Sequence, residues 1–177
     1  MAVGLFLAAC FLALIAQQTR GEDLDLAQAL SRAPLYWVRM AALFVPLGIL
    51  LILAISVGFL LGPLVFLVWV GALWFLVYTM FLPQAITLAE DPPLRALWNS
   101  FAIVRMNFWS ALGLLILTSV ISMGLGLIWN GLLSSTLGTV VAIVANAYVG
   151  TALTVAMFVF YHDRLLRWRE AAQASKG

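Results

Sequence analysis

Apolar positions run along this chain in long unbroken blocks, and charged positions fall between them in three clusters. Residues 2–19 carry no charge, and Arg20, Glu22, Asp23, Asp25, Arg32 and Arg39 follow them. Residues 40–89 are again neutral, up to Glu90, Asp91, Arg95 and Arg105. A third neutral block, 106–162 with His162 taken as uncharged, leads to a tail holding Asp163, Arg164, Arg167, Arg169, Glu170 and Lys176. A helix crosses a hydrocarbon core of ~30 Å with about 20 apolar residues. Each long block therefore holds two spans. The first block breaks at Gly58–Pro63, giving spans of about 40–59 and 63–83, because two glycines and a proline favour a turn. The second breaks at Asn130-Gly131 and Ser134-Ser135, giving about 109–129 and 136–161. With 2–19, the pattern predicts an all-α integral membrane protein of about five transmembrane helices in a single domain over residues 1–177.

The two inter-span loops read as amphipathic interfacial helices, about 23–33 and 92–106. In the second, Leu94, Leu97, Trp98, Phe101 and Val104 recur at spacings of three and four, with Arg95, Asn99 and Arg105 off that stripe. Asp91 stands as its N-cap, Pro92 and Pro93 suit a first turn, and Asp91 can pair with Arg95. In the first, Asp25 and Gln28 have capping-box spacing, and Pro34 should end the helix before Tyr36 and Trp37. The loops also share a pattern. Ala29-Leu30 precedes Val38-Arg39-Met40, and Ala96-Leu97 precedes Val104-Arg105-Met106, with gaps that differ by one residue. Each pattern opens a hairpin from the same side, which suggests a parallel repeat of two hairpins.

Cations orient such a chain, because Lys and Arg are retained in short cytoplasmic loops. With five spans all nine fall on one side, which puts the N-terminus outside and the C-terminus in the cytoplasm. A signal peptide over residues 1–19 is the rival reading. It would lack a basic n-region, and the best cleavage point, after Ala16, has Leu14 three positions before the cut. Trp37, Trp98, Trp109 and Trp168 fall near the proposed cytoplasmic interface and Trp129 near the other; Trp69 and Trp74 lie inside a span, for helix packing or contact with a bound lipid or pigment.

Composition confirms the solvent and narrows the chemistry. Hydrophobic residues make up 65% of the chain and charged ones 9%, against ~25% in ordinary soluble domains. Nine scattered cations form no stripe for nucleic acid, and the lone Cys10 excludes an intrachain disulfide. No span carries Asp, Glu, Lys or Arg, the pattern expected when a proton relay or carboxylate ion site is absent. His162 stands at a span end, and no HExxH, P-loop or GxSxG occurs. The expectation is a chain with no catalytic residues, cofactor or metal. Its polar span positions are small and neutral. Gly138, Ala142, Asn146, Gly150 and Thr154 recur every four residues, a stripe for close helix approach that Ser119, Ser122 and Gly126 could face. Together with Tyr148 the stripe offers either helix packing or a narrow polar cavity lined by Ser122, Asn146 and Tyr148. Arg95, Arg105, Arg164 and Arg167 are the candidate contacts to anionic lipid headgroups.

Residues 81–117 carry Pro83, Glu90, Ala96-Leu97, Ser100, Val104-Arg105 and Asn107-Phe108-Trp109 in order, and the tail carries Tyr161-His162-Asp163-Arg164 followed by Arg167 and Glu170. This pattern resembles the bacterial and archaeal membrane-domain families related to the membrane domain of glycerophosphoryl diester phosphodiesterases. Met106 replaces the family's usual glycine, and the six-span plan with both ends inside would leave this chain without a first helix. The phosphodiesterase barrel has no counterpart here, so the resemblance implies a prokaryotic cell-membrane module, an anchor or lipid-associated partner, and no hydrolase. The expected role is an accessory or scaffold subunit that packs against membrane lipids, other membrane protein subunits or itself. The alternative is a small-solute or lipid transporter working as an oligomer.

Overall fold

The structure, a computed structural model, describes residues 2–60, 62, 65–132 and 134–174. Pro63 of the predicted first turn and Lys176 of the tail lie outside them. The described residues form seven helices and no strand: α1 (Ala2–Arg20), α2 (Leu26–Leu60), α3 (Val65–Thr79), α4 (Leu82–Thr87), α5 (Pro93–Met106), α6 (Phe108–Leu132) and α7 (Thr136–Ala174). Four stretches are long and apolar enough to cross a membrane: Leu26–Gly58, Val65–Thr87, Phe108–Leu132 and Thr136–Trp168. That fits a multi-pass membrane protein. The apolar stretch of α1, Gly4–Arg20, is shorter. The chain divides into two compact units, Met1–Met106 and Asn107–Gly177.

In the first unit α1 ends at Gly21, whose φ of +74° lets the chain reverse. The Gly21 N–H donates to the Gln18 carbonyl and the Glu22 N–H to the Gln17 carbonyl, each at 3.1 Å, which closes the helix as a Schellman motif. Asp25 then caps α2, its Oδ1 accepting from the N–H groups of Ala27 (2.8 Å) and Gln28 (3.1 Å). The other half of the expected capping box is diverted, since Gln28 Oε1 accepts instead from Gln17 Nε2 at 2.9 Å.

That bond fixes the register of an antiparallel pair. Ala9, Ala13 and Ala16 on α1 are buried, as are Ala29, Ala33, Tyr36, Met40 and Leu43 on α2, both at spacings of three and four. Alanines on one side let the backbones come close. From Gln17 opposite Gln28, α1 runs back to its start near Leu43, so the apolar residues 44–57 of α2 extend beyond it. These residues pack instead on α3, where an added Cβ at Gly58 would lie 3.3 Å from Val68.

The separate interfacial helix expected at about 23–33 does not exist as such. It is the first part of α2, which continues through both Pro34 and Pro46. Each proline withholds an N–H from the carbonyl four residues back, Leu30 and Ala42, yet flanking turns and packing hold the helix together. The second predicted stretch, about 92–106, forms a separate helix, α5.

In the second unit α6 and α7 form a hairpin. Ser135 caps α7, its Oγ accepting from the Gly138 N–H at 3.0 Å and its carbonyl from the Thr139 N–H at 2.9 Å. A Cβ at Gly138 would run into the Leu132 carbonyl oxygen, so this glycine serves the turn. Thr118, Thr151 and Thr154 donate to carbonyls of their own helices, of which Leu114, Ala147 and Gly150 are acceptors. Their hydroxyls are satisfied without a second helix.

Candidate functional site

The densest polar arrangement gathers on one carboxylate, in the first unit. As α4 ends, the Leu88 N–H donates to the Gln84 carbonyl at 2.8 Å and the Asp91 N–H to the Ala85 carbonyl at 3.2 Å. Between them Glu90 adopts φ +55°, a left-handed backbone that costs a non-glycine residue about 1–2 kcal/mol. Glu90 Oε1 accepts from Arg20 Nη1 at 3.0 Å, Arg32 Nη1 at 2.6 Å and the Tyr36 hydroxyl at 3.2 Å. Its carbonyl accepts from Arg39 Nη1 at 2.8 Å. Arg20 also reaches Glu22, at 3.4 Å.

Burial alone would push the Glu90 carboxyl up. The Arg20 hydrogen bond, the charges of Arg32 and Arg20 and the Tyr36 hydroxyl outweigh it and hold the group below the usual carboxylate range. At Arg20 burial acts to lower and the Glu90 bond leads the contributions that raise, leaving the guanidinium above its ordinary value. The cluster thus ties α1, the first half of α2 and the α4–α5 turn into one cap.

Beside it, Asp91 is buried, with Oδ2 accepting from Asn99 Nδ2 at 2.6 Å and Oδ1 facing Arg95 Nε at 3.4 Å. The Asp91–Arg95 pair matches the sequence expectation; the N-cap does not. The carbonyl of Pro92 accepts the first α5 bond, from Ala96, and Asp91 turns to Asn99 instead. Burial divides the apolar stripe of α5. Ala96, Asn99, Ser100, Ile103 and Val104 are the buried side, whereas Leu94 and Trp98 of the apolar stripe are exposed. Small and hydrogen-bonding residues hold α5 to the protein, leaving its bulky apolar residues outward.

Three of the four predicted headgroup arginines have carboxylate neighbours. Arg95 meets Asp91, Arg167 Nε lies 3.2 Å from Asp163 Oδ1, and Arg164 Nε lies 3.8 Å from Asp163 with its guanidinium 5.3 Å above the Phe160 ring. Arg105 has no ion pair or hydrogen bond among the described residues. It borders a groove of about 480 Å³ with Tyr78, Trp98, Phe101, Ala102 and Met106.

Exposure varies along the α7 stripe and its α6 counterpart. Gly138 and Ala142 are buried, but Ser122, Asn146, Tyr148 and Gly150 are exposed and Thr154 is half-buried. A spacing of four drifts ~40° per step around a 3.6-residue helix, so the stripe rotates off the contact by Asn146. Trp69 and Trp74 likewise face outward, Trp74 stacking on Tyr78 at 6.1 Å. The paired loops differ too: Val38 is exposed and Met40 buried, whereas Val104 is buried and Met106 exposed. The one-residue difference in gap turns the triplet by ~100°.

Sequence reasoning missed the Glu90 cluster. Its partners lie 51 to 70 residues away, outside any helical spacing. The signal within reach was compositional, three arginines in the first cluster opposite an acidic pair in the second. No group of three His, Cys, Asp or Glu side chains able to hold a metal occurs among the described residues. Comparison of the chain with family models, with curated proteins and with solved structures found no match.

Proposed function

We propose that this chain is a non-enzymatic, multi-pass membrane module that packs against lipids and other membrane proteins as an accessory or scaffold subunit. One observation carries the reading: the four candidate spans have only 6 to 22% of their apolar windows buried inside the chain. Outward surface so apolar needs lipid or protein against it. The polar groups that are buried serve to hold the first unit together, as the Glu90 cluster and the Asp91–Asn99 pair do. The relationship to the phosphodiesterase-linked membrane domains belongs to the same proposal, on the residues of 81–117.

The proposed topology has four spans. Helix α2 is about 52 Å long at 1.5 Å per residue, well over a ~30 Å core. Its charged first part, with Arg32 and Arg39, belongs at headgroup level, and α1 pairs with that part. The cap then lies on the cytoplasmic side with every cation, and both termini share that side.

Purification in mild detergent followed by quantitative mass spectrometry tests the role. A stoichiometric second membrane protein, or a defined homo-oligomer, is the expected result. A monomer accompanied by lipid alone at all concentrations would overturn the subunit reading.

A further inference from the structure

The groove between α3 and α5 is bordered by Arg105, which has no ion pair or hydrogen bond among the described residues. Arg20 and Arg32 share Glu90, Arg39 is bound to its carbonyl, and Arg95, Arg164 and Arg167 have aspartates. Arg105 has only the groove. The floor of that groove is fixed. Tyr78 and Phe101 stack at 5.1 Å with planes 26° apart, Phe75 lies 6.2 Å from Phe101, and Ser100 Oγ donates to the Tyr78 carbonyl at 2.7 Å. Along its edge Trp98 is 74% exposed, an amphipathic ring of the kind that settles at headgroup depth. The volume falls in the ~300–1,000 Å³ range of small-ligand sites.

We infer that this groove seats one anionic phospholipid of the surrounding bilayer, its phosphate on Arg105 and the start of an acyl chain along Tyr78, Trp98 and Phe101. Charge complementarity selects the headgroup. A lone guanidinium is neutralised by a lipid with net negative charge, whereas a zwitterionic lipid brings its own cation to the site. The aromatic floor selects a lipid over a free anion, since inorganic phosphate would leave the apolar wall uncovered. The inference rests on the membrane-module reading and gives it a ligand class.

The test titrates the full chain in detergent with phosphatidylglycerol or phosphatidylcholine of identical acyl chains, read by native mass spectrometry. The wild type should prefer phosphatidylglycerol by roughly fivefold or more. Arg105→Gln should abolish the preference, Arg105→Lys should keep most of it, and Arg169→Gln, which removes an equal charge from the tail, should leave it intact. A preference that survives Arg105→Gln, or one that falls equally in both glutamine variants, overturns the site. Equal binding of both lipids by the wild type also overturns the groove but leaves the membrane reading standing; a chain that stays soluble without detergent and retains neither lipid defeats that reading itself.

Discussion

Glu90 holds a strained backbone while its one carboxylate faces partners on two helices, α1 and α2. Replacing it separates the two contributions. Glu90→Ala loses the carboxylate and keeps the left-handed φ, while Glu90→Gly loses the carboxylate and relieves about 1–2 kcal/mol of backbone strain, offset in part by the ~0.4–1 kcal/mol of extra chain entropy that glycine loses on folding. Both should lower the thermal midpoint in detergent, alanine further. The loss from the carboxylate stays at about 1–2 kcal/mol, because the side chain is nearly half exposed and solvent screens its ion pairs. Acid should act in the same direction. Since the folded-state pKa of Glu90 is depressed, its contribution is complete above the ordinary carboxylate value and fades as pH falls through the folded one. Melting scans across that interval should show a wild-type slope that Glu90→Gln removes. At Asp91 the two partners should differ: Asn99→Ala leaves a buried carboxylate oxygen without its donor and costs about 1–3 kcal/mol, whereas Arg95→Ala, at an exposed guanidinium, costs under ~1 kcal/mol.

At the scale of elements, hydrophobic block length carried most of the information. The apolar runs became α2, α3, α6 and α7, and the predicted turn at Ser134-Ser135 became the cap of α7, because bilayer thickness and helical rise leave little freedom. Helix ends and faces were less legible. Pro34 reads locally as a stop, yet the pairing with α1 carries α2 through it. The bulky stripe of α5 does not say which residues hold the helix to the protein; Ala96, Asn99 and Ser100 are among those that are buried, because in an apolar solvent burying leucine gains little over leaving it out. The α1–α2 seam gives a direct check. Ala13→Leu puts three extra carbons into a closed alanine contact and should cost about 1–3 kcal/mol in detergent melts, while Leu7→Ala, at a residue 62% exposed, should be close to neutral.

For the molecule as a whole, the number of crossings decides which side of the membrane holds the N-terminus, and one labelling experiment reads it. In a Cys10→Ala background, Gly131→Cys and Gly4→Cys each place a thiol where a side chain meets nothing within 4 Å. A membrane-impermeant maleimide applied to intact cells should label position 131 at once and position 4 only after lysis. Labelling of position 4 in intact cells would mean that α1 crosses as a fifth span. The Glu90 cluster bears on how such a topology is reached. Ribosomes deliver roughly 5–20 residues per second, and Glu90 follows Arg32 by 58 residues and Arg20 by 70, so these arginines wait about 3–14 s for their carboxylate. Through that interval Arg20, Arg32 and Arg39 are without Glu90, and arginines in such a segment are the signal that retains it on the cytoplasmic side. The late arrival of Glu90 separates the two tasks in time: the same cations first steer insertion, and afterwards become the fastening of the finished cap.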